Sequence, residues 1–245
     1  MKAMIFSAGL GSRLRPLTNN KPKALVELNG EPLILGVIKK LKEAGVTEIV
    51  VNLHHFANEL RTYLTENEFG IQIYFSDESN FLQETGGGLK KAASYFQDAQ
   101  AFFAYNVDIL SNIDLNKLYQ QHCENKSIAT LAVRNRKSSR YLLFDKDNNL
   151  SGWENIVSNE VRLTKGKRED LLPFAFSGIQ VIDPEIFKLI AEVGRFSIID
   201  VYLRIANSEI LKAYVHDKDY WFDLGTLKQL EEASEFLKDI NIGLK

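Results

Sequence analysis

Short apolar runs alternate with amphipathic stretches through the first half of the chain. Ala3–Phe6, Glu48–Asn52, Ile71–Phe75 and Ala101–Tyr105 have strand length and are rich in β-branched or aromatic residues. Between them, Leu33–Ala44 puts Leu33, Val37, Ile38 and Leu41 on one helical face, and Gly45 follows as a stop signal. Asn58–Leu64 and a stretch of about Gly88–Tyr95 also read as helices. Strand–helix alternation of this kind predicts right-handed βαβ units. The expected fold is α/β: a Rossmann-like three-layer sandwich around a mostly parallel, mixed central sheet.

The second half is less regular. Ser127–Val133, Tyr141–Phe144, Phe174–Ile182 and Leu211–Val215 read as strands, with a hairpin turn at Asp145–Asn149. Arg162–Asp170 is charged and contains glycine, which predicts a loop. Pro184–Ala191, Ile198–Asn207 and Thr226–Leu237 have helical spacing. No internal repeat, low-complexity tract or linker divides the chain, so a single domain over 1–245 is expected.

Composition narrows the possible partners. The chain has 245 residues, 45% of them hydrophobic and 25% charged, and a formal net charge of −2. That balance offers no electrostatic footprint for nucleic acid. The one cysteine, Cys123, has no internal disulfide partner, which fits a reducing compartment. No apolar run approaches the roughly 20 residues of a membrane helix, and the apolar start is too short for a signal segment. A soluble cytoplasmic protein without membrane or nucleic-acid partners is expected.

The most specific chemistry lies in Ser7-Ala8-Gly9-Leu10-Gly11-Ser12-Arg13-Leu14-Arg15-Pro16-Leu17-Thr18, followed by Lys21-Pro22-Lys23. It begins where the first strand ends. Gly9 and Gly11 permit a tight turn that brings amides toward an anion, and Arg13, Arg15 and Lys23 add fixed positive charge. Amides plus cations suit a triphosphate better than a neutral ligand. Leu14 stands where a dinucleotide-binding loop needs its third glycine, and no Gly-Lys-Ser/Thr ends the loop, so neither of those motifs applies.

This segment resembles the signature of the sugar-phosphate nucleotidylyltransferases, departing from it at Ser7, where that family usually has alanine. Three further landmarks follow in the family's order: Glu84-Thr85-Gly86-Gly87-Gly88, Asn106-Val107-Asp108, and Trp221-Phe222-Asp223-Leu224-Gly225-Thr226. The resemblance implies a nucleotide-diphospho-sugar transferase type of fold, with nucleotide bound by about 1–110 and sugar by about 111–245. It implies a reaction between a nucleoside triphosphate and a sugar 1-phosphate that yields a nucleotide sugar and pyrophosphate. Arg13 and Lys23 become the catalytic cations. Ala8, Gly9, Gly11, Ser12, Arg13, Glu84, Thr85, Gly86 and Asn106 become nucleotide-binding residues, the glycine triplet being a loop that frames the base. Asp108 and Asp223 become ligands of Mg²⁺. The Glu-Thr-Gly-Gly-Gly form is similar to the branch that uses UTP with N-acetylmuramate 1-phosphate; GTP with mannose or heptose 1-phosphate is the alternative.

The acceptor side is less readable. Phe176-Ser177-Gly178-Ile179 resembles the family's sugar-lining strand, and Asn155 could hydrogen-bond a sugar, so Asn155, Ser177 and Gly178 are the candidate sugar-phosphate-binding residues. The Glu-Lys pair of many relatives is missing around Trp153-Glu154-Asn155, leaving Lys165 or Lys167 as phosphate cations or as solvated loop charges. His54 and His55 lack metal-ligand spacing. Two other classes fit the same residues: a non-catalytic regulatory paralogue that binds nucleotide sugars, and a phosphocholine cytidylyltransferase. The second would need an aromatic cage from Tyr141, Trp153 and Trp221.

Overall fold

The computed structural model describes residues 1–243. In chain order its strands are β1 (Lys2–Phe6), β2 (Glu27–Leu28), β3 (Glu31–Pro32), β4 (Glu48–Leu53), β5 (Gln72–Asp77), β6 (Phe102–Asn106), β7 (Ile109–Ser111), β8 (Ala129–Arg134), β9 (Arg140–Phe144), β10 (Leu150–Asn155), β11 (Glu160–Leu163), β12 (Leu172–Ile182), β13 (Leu211–Val215) and β14 (Trp221–Asp223). The α-helices are α1 (Leu33–Glu43), α2 (Ala57–Glu66), α3 (Glu84–Lys91), α4 (Leu115–Asn125), α5 (Ile186–Leu189), α6 (Ile198–Ile205) and α7 (Leu227–Gly243).

The main sheet runs β11-β10-β9-β12-β6-β1-β4-β5, with β8 and β13 joined beside β12. The predicted α/β architecture is borne out. β6, β1, β4 and β5 are mutually parallel, whereas β12 runs antiparallel to β6, β8 and β9. Register along β12 shifts between Phe176 and Gln180, and Gly178 there has φ +75°. This bulge bends an 11-residue strand so that its first part pairs with β9 and its last part with β6.

Central strands are buried on both faces, as helix-covered parallel strands must be. Ile5, Val51, Phe103 and Tyr105 face the layer containing α1, α2 and α4. Met4, Val50, Phe102 and Ala104 face the layer of α3 and α6, where Phe96 stacks on Phe102 at 4.1 Å between ring centroids. α1 meets its expectation: Leu33, Val37, Ile38 and Leu41 are buried, and Gly45 at φ +83° ends the helix.

Several elements differ from the sequence expectation. α4 is absent from it, although Leu115, Leu118 and His122 form a buried stripe behind an Asp114 N-cap that accepts the Lys117 amide. β10 and β11 form a hairpin, so the stretch expected as a loop over Arg162–Asp170 begins inside a strand. β11 was hard to read because all four of its residues are exposed, which leaves no polar–apolar alternation. The helix expected from about Gly88 begins at Glu84, and Ala93–Tyr95 is a separate turn of 3₁₀ helix.

Candidate functional site

β1 delivers the N-terminal loop to the C-terminal edge of the parallel strands, where open α/β sheets bind ligands. A side chain from the neighbouring strand holds its first turn. Asn52 Oδ1 accepts the amides of Ser7 at 2.6 Å and Ala8 at 3.2 Å, and the Ser7 hydroxyl donates to the Asn52 carbonyl. The Ala8 amide is therefore engaged, and Ala8 serves as cleft wall. Gly11 has φ +64°, and a Cβ there would lie 3.0 Å from Thr18 Cγ2 and 3.2 Å from Lys23 Cβ. Thr18 Oγ1 donates to the Gly11 carbonyl at 2.9 Å, folding the loop over Lys23. Among the described residues, no protein acceptor takes the amides of Gly9, Leu10, Gly11 or Ser12. Such an array of free donors is an anion site in waiting.

The distant carboxylates meet through a two-stranded ladder. β7 and β14 pair antiparallel with Asp223 opposite Ile109, and the Leu224 amide donates to the Asp108 carbonyl at 2.8 Å. Asp108 and Asp223 thus emerge side by side. Lys23, about nine-tenths buried, donates through Nζ to Asp108 Oδ2. Asp223 Oδ1 accepts the Gly225 amide at 2.8 Å. A Cβ on Gly225 would lie 2.7 Å from Asp223 Oδ1 and 2.8 Å from Arg13 Nη2, so Arg13 and Asp223 share the small space above that glycine. Lys23, Asp108, Asp223 and Arg13 therefore form one cluster, fed from three segments of the chain. Among the described residues, no three His, Cys, Asp or Glu side chains converge. Two hard carboxylates suit Mg²⁺, which completes its shell with phosphate oxygens and water.

The glycine triplet differs from expectation. Gly86, Gly87 and Gly88 are buried inside α3, and the amides of Gly86 and Gly87 both donate to the Phe196 carbonyl, at 3.0 and 3.3 Å. Those two amides are taken within the protein. A Cβ would lie 2.5 Å from the Phe196 ring at Gly86, 2.7 Å from the Gly194 carbonyl at Gly87, and 2.6 Å from Glu78 Oε1 at Gly88. Gly86 and Gly87 form an approach surface that lets α3 settle on the Gly194–Ile198 segment, and Gly88 leaves room for Glu78 and Asn52. Glu84 takes φ +59° and pairs with Arg195 at 2.6 Å; Thr85 Oγ1 accepts the Ile198 amide at 3.1 Å. Both line the cleft beside Leu82.

Sequence reasoning missed Asn52 and Glu78. Glu78 is only 1% exposed, yet its carboxylate accepts Asn52 Nδ2 at 2.8 Å and the Gln83 amide at 3.1 Å. Asn52 and Glu78 therefore connect the Ser7–Ala8 turn to the Gln83–Glu84 turn in one buried relay. The only sequence signal was polarity at the end of two strands.

Part of this constellation lines a cleft of about 460 Å³, with Ala8, Gly9, Lys23, Glu84, Asn106 and Asp108 in its wall; Gly11, Ser12, Arg13 and Asp223 lie outside that lining. A side cavity of about 370 Å³ opens from it, lined by Tyr141, Trp153, Glu160, Arg162 and Phe176; Arg140 and Ser197 border both. The expected sugar-phosphate residues are placed differently. Ser177 is fully buried, with its hydroxyl against His216 Nε2 at 2.7 Å. Asn155 closes a turn by accepting the Val157 and Ser158 amides at 3.0 and 3.4 Å. Gly178 backs Asn106, whose Nδ2 would lie 2.9 Å from an added Cβ. Glu154 faces away, held by Arg168 at 2.6 and 2.7 Å, and the exposed Lys165 and Lys167 line neither cavity. Arg136 stacks over Trp221 at 4.2 Å, and burial pulls its guanidinium below its ordinary range against the pull of Asp223. His54 is not part of the lining of either cavity; its ring meets the Glu78 carbonyl at 2.8 Å.

A loop of free amides, clustered cations and paired carboxylates at a parallel sheet edge defines an enzyme that handles phosphorylated nucleotides. A model of the family described as "Nucleotidyl transferase" matches residues 2–240, and the chain belongs to that family of nucleotidyltransferases. It is 31% identical over 235 residues to the N-acetylmuramate alpha-1-phosphate uridylyltransferase of Neisseria meningitidis, covering 95% of this chain and 96% of that one. It is 31% identical to the mannose-1-phosphate guanyltransferase 2 of Candida glabrata, covering 93% of this chain but 62% of that longer protein. The fold matches a crystal structure of UDP-glucose pyrophosphorylase complexed with UDP-glucose, with TM-score 0.77, 17% identity, and 97% and 98% of the two chains covered. It also matches HddC from Yersinia pseudotuberculosis, with TM-score 0.73, 22% identity, and 96% and 99% coverage. Among the described residues, no helix is long and apolar enough to cross a membrane.

Proposed function

We propose that this protein transfers a nucleotidyl group from UTP or GTP to a sugar 1-phosphate, giving a nucleotide sugar and pyrophosphate. The observation that carries the reading is the meeting of Asp108 and Asp223 beside Lys23, Arg13 and the free amides of Gly9–Ser12. An oxygen of the acceptor phosphate attacks the α-phosphorus in line. One P–O bond forms as the α–β bridge breaks, and the electron pair leaves with pyrophosphate. No side chain acts as nucleophile, so the catalytic work is positioning two polyanions and compensating charge.

Each residue has a role in that work. The loop amides and Arg13 hold the β and γ phosphates, and the planar fork of Arg13 stabilises the departing pyrophosphate. Lys23 serves the α-phosphate; nucleotide displaces part of its bond to Asp108. Asp108 and Asp223 are the residues that would hold Mg²⁺, which supplies positive charge to phosphate oxygens when bound. UTP with N-acetylmuramate 1-phosphate is the favoured pair, supported by the relative of matching length and the Glu-Thr-Gly-Gly-Gly segment. GTP with mannose or heptose 1-phosphate is the alternative, supported by the equally identical guanyltransferase.

The test is pyrophosphate release from four nucleoside triphosphates against a set of sugar 1-phosphates, with and without Mg²⁺. Release is expected with at least one uridine or guanosine pair. Asp108→Asn should keep the fold and lower kcat/KM by at least about a hundredfold. Wild-type silence on every pair, or full activity of that variant, defeats the reading.

A further inference from the structure

A sugar phosphate needs a cation of its own, and the lysines expected from the sequence line neither cavity. Arg162, the other cation lining the side cavity, is committed, as are those nearby. Arg162 pairs with Asp200 at 2.7 Å, Arg168 forks onto Glu154, and Arg136 lies over Trp221 with Nη2 on the Phe176 carbonyl at 3.1 Å. Lys23 is on Asp108. Arg140 differs. It is exposed, and among the described residues its guanidinium makes no hydrogen bond or ion pair.

Its place in the fold is fixed by pairing rather than by a loop. Arg140 begins β9 and stands opposite Asn155 of β10, which in turn stands opposite Glu160 of β11. With strands roughly 5 Å apart, Arg140 and Glu160 are about 10 Å apart on the same sheet face. Leu142, Trp153 and Arg162 form the next row on that face, since side chains two residues apart point the same way. The row order carries Arg140 to the border of the cleft that contains Asp108, and Trp153 and Glu160 into the side cavity.

Resting on the transferase reading above, we propose that Arg140 anchors the phosphate of the acceptor, with the sugar ring beside Trp153 and its hydroxyls toward Glu160. A guanidinium offers two parallel N–H groups to two phosphate oxygens and leaves the third oxygen free to attack. Lys23 lines the same cleft at Asp108, and Arg13 lies beside Asp223, so the triphosphate has cations other than Arg140. Arg140 is thus an acceptor-anchoring residue on a strand, where its position is held by the ladder.

The experiment compares wild type, Arg140→Ala and Arg140→Lys. Pyrophosphate release is followed while glucose 1-phosphate, mannose 1-phosphate or N-acetylmuramate 1-phosphate is varied. Binding of each triphosphate, and of each of the three acceptors, is titrated separately. For Arg140→Ala the acceptor KM and Kd should rise at least about tenfold for every acceptor used, with partial recovery in Arg140→Lys and triphosphate Kd within about twofold of wild type. A matching loss of triphosphate affinity overturns the assignment, as does an effect confined to the carboxylate-bearing N-acetylmuramate 1-phosphate. So does equal acceptor binding by wild type and Arg140→Ala, or no binding of any acceptor to wild type. Failure of the transferase reading shows separately, as wild type that binds acceptor yet releases no pyrophosphate.

Discussion

Gly225 has room for a hydrogen and little else. A methyl there would meet Asp223 Oδ1 and Arg13 Nη2, at 2.7 and 2.8 Å. Both obstacles are the ends of side chains that can swing away, so the fold has little to lose, whereas the cluster does. Gly225→Ala should therefore lower unfolding free energy by less than about 1 kcal/mol while cutting pyrophosphate release by at least about tenfold. Urea unfolding and steady-state kinetics on the same preparation separate the two effects. Destabilisation in proportion to the lost activity would mean that Gly225 serves the fold alone. Residues of this cluster were legible in the sequence because each follows an apolar strand or a glycine turn, where ligand-facing side chains belong. Ser177 and Asn155 were misread because nothing in their neighbours reveals His216 or the Val157–Ser158 turn. Asn52 and Glu78 showed only their polarity for the same reason: their roles exist only after β4 pairs with β1 and β5 with β4.

At the scale of elements, α3 sets propensity against packing. Alanine is favoured over glycine within a helix by about 1 kcal/mol, so replacing any of the triplet should help if the helix were isolated. At Gly87 the added carbon would lie 2.7 Å from the Gly194 carbonyl, a backbone atom that moves only with its segment. Overpacking of this kind costs about 1–3 kcal/mol, which exceeds the propensity gain. Gly87→Ala is expected to lower the denaturation midpoint, and to raise the KM for triphosphate because Glu84 and Thr85 ride on the same helix. A higher midpoint would show that the Gly194–Ile198 segment yields freely. The central strands and α1 were legible because one periodicity and one buried face agree. The β10–β11 hairpin was not, since an exposed edge strand has no face to report. The long β12 was read as a strand but not as a bent one, because Gly178 signals a bulge only when both partner strands are known.

For the molecule as a whole, two buried histidines tie stability to pH. His122 and His216 are each 3% exposed, and burial pushes both down to about 4 from 6.5. His122 is surrounded by the Ser127 and Thr130 hydroxyls, with Asp183 pulling weakly upward. His216 lies against Ser177, with Arg134 and Arg136 adding to the downward push and Asp217 opposing it. Between these values the unfolded chain binds protons that the native state refuses. Unfolding free energy therefore rises with pH across that window, is fully present above about 6.5, and falls as pH drops toward 4. Each histidine contributes a slope of at most about 1.4 kcal/mol per pH unit. The paired carboxylates Asp77, Asp114, Asp145 and Glu192 are held below their ordinary values, so their stabilisation is lost at still lower pH and deepens the same decline. Denaturant midpoints measured from pH 7 to 4.5 should trace this decline, and His122→Gln should flatten it by about one proton. His122 lines neither cavity and its partners are Thr130 and Ser127, so that variant should leave the kinetics at pH 7.5 unchanged. A slope identical to wild type would mean that His122 takes up its proton within the folded protein, and that the decline across this window resides in His216.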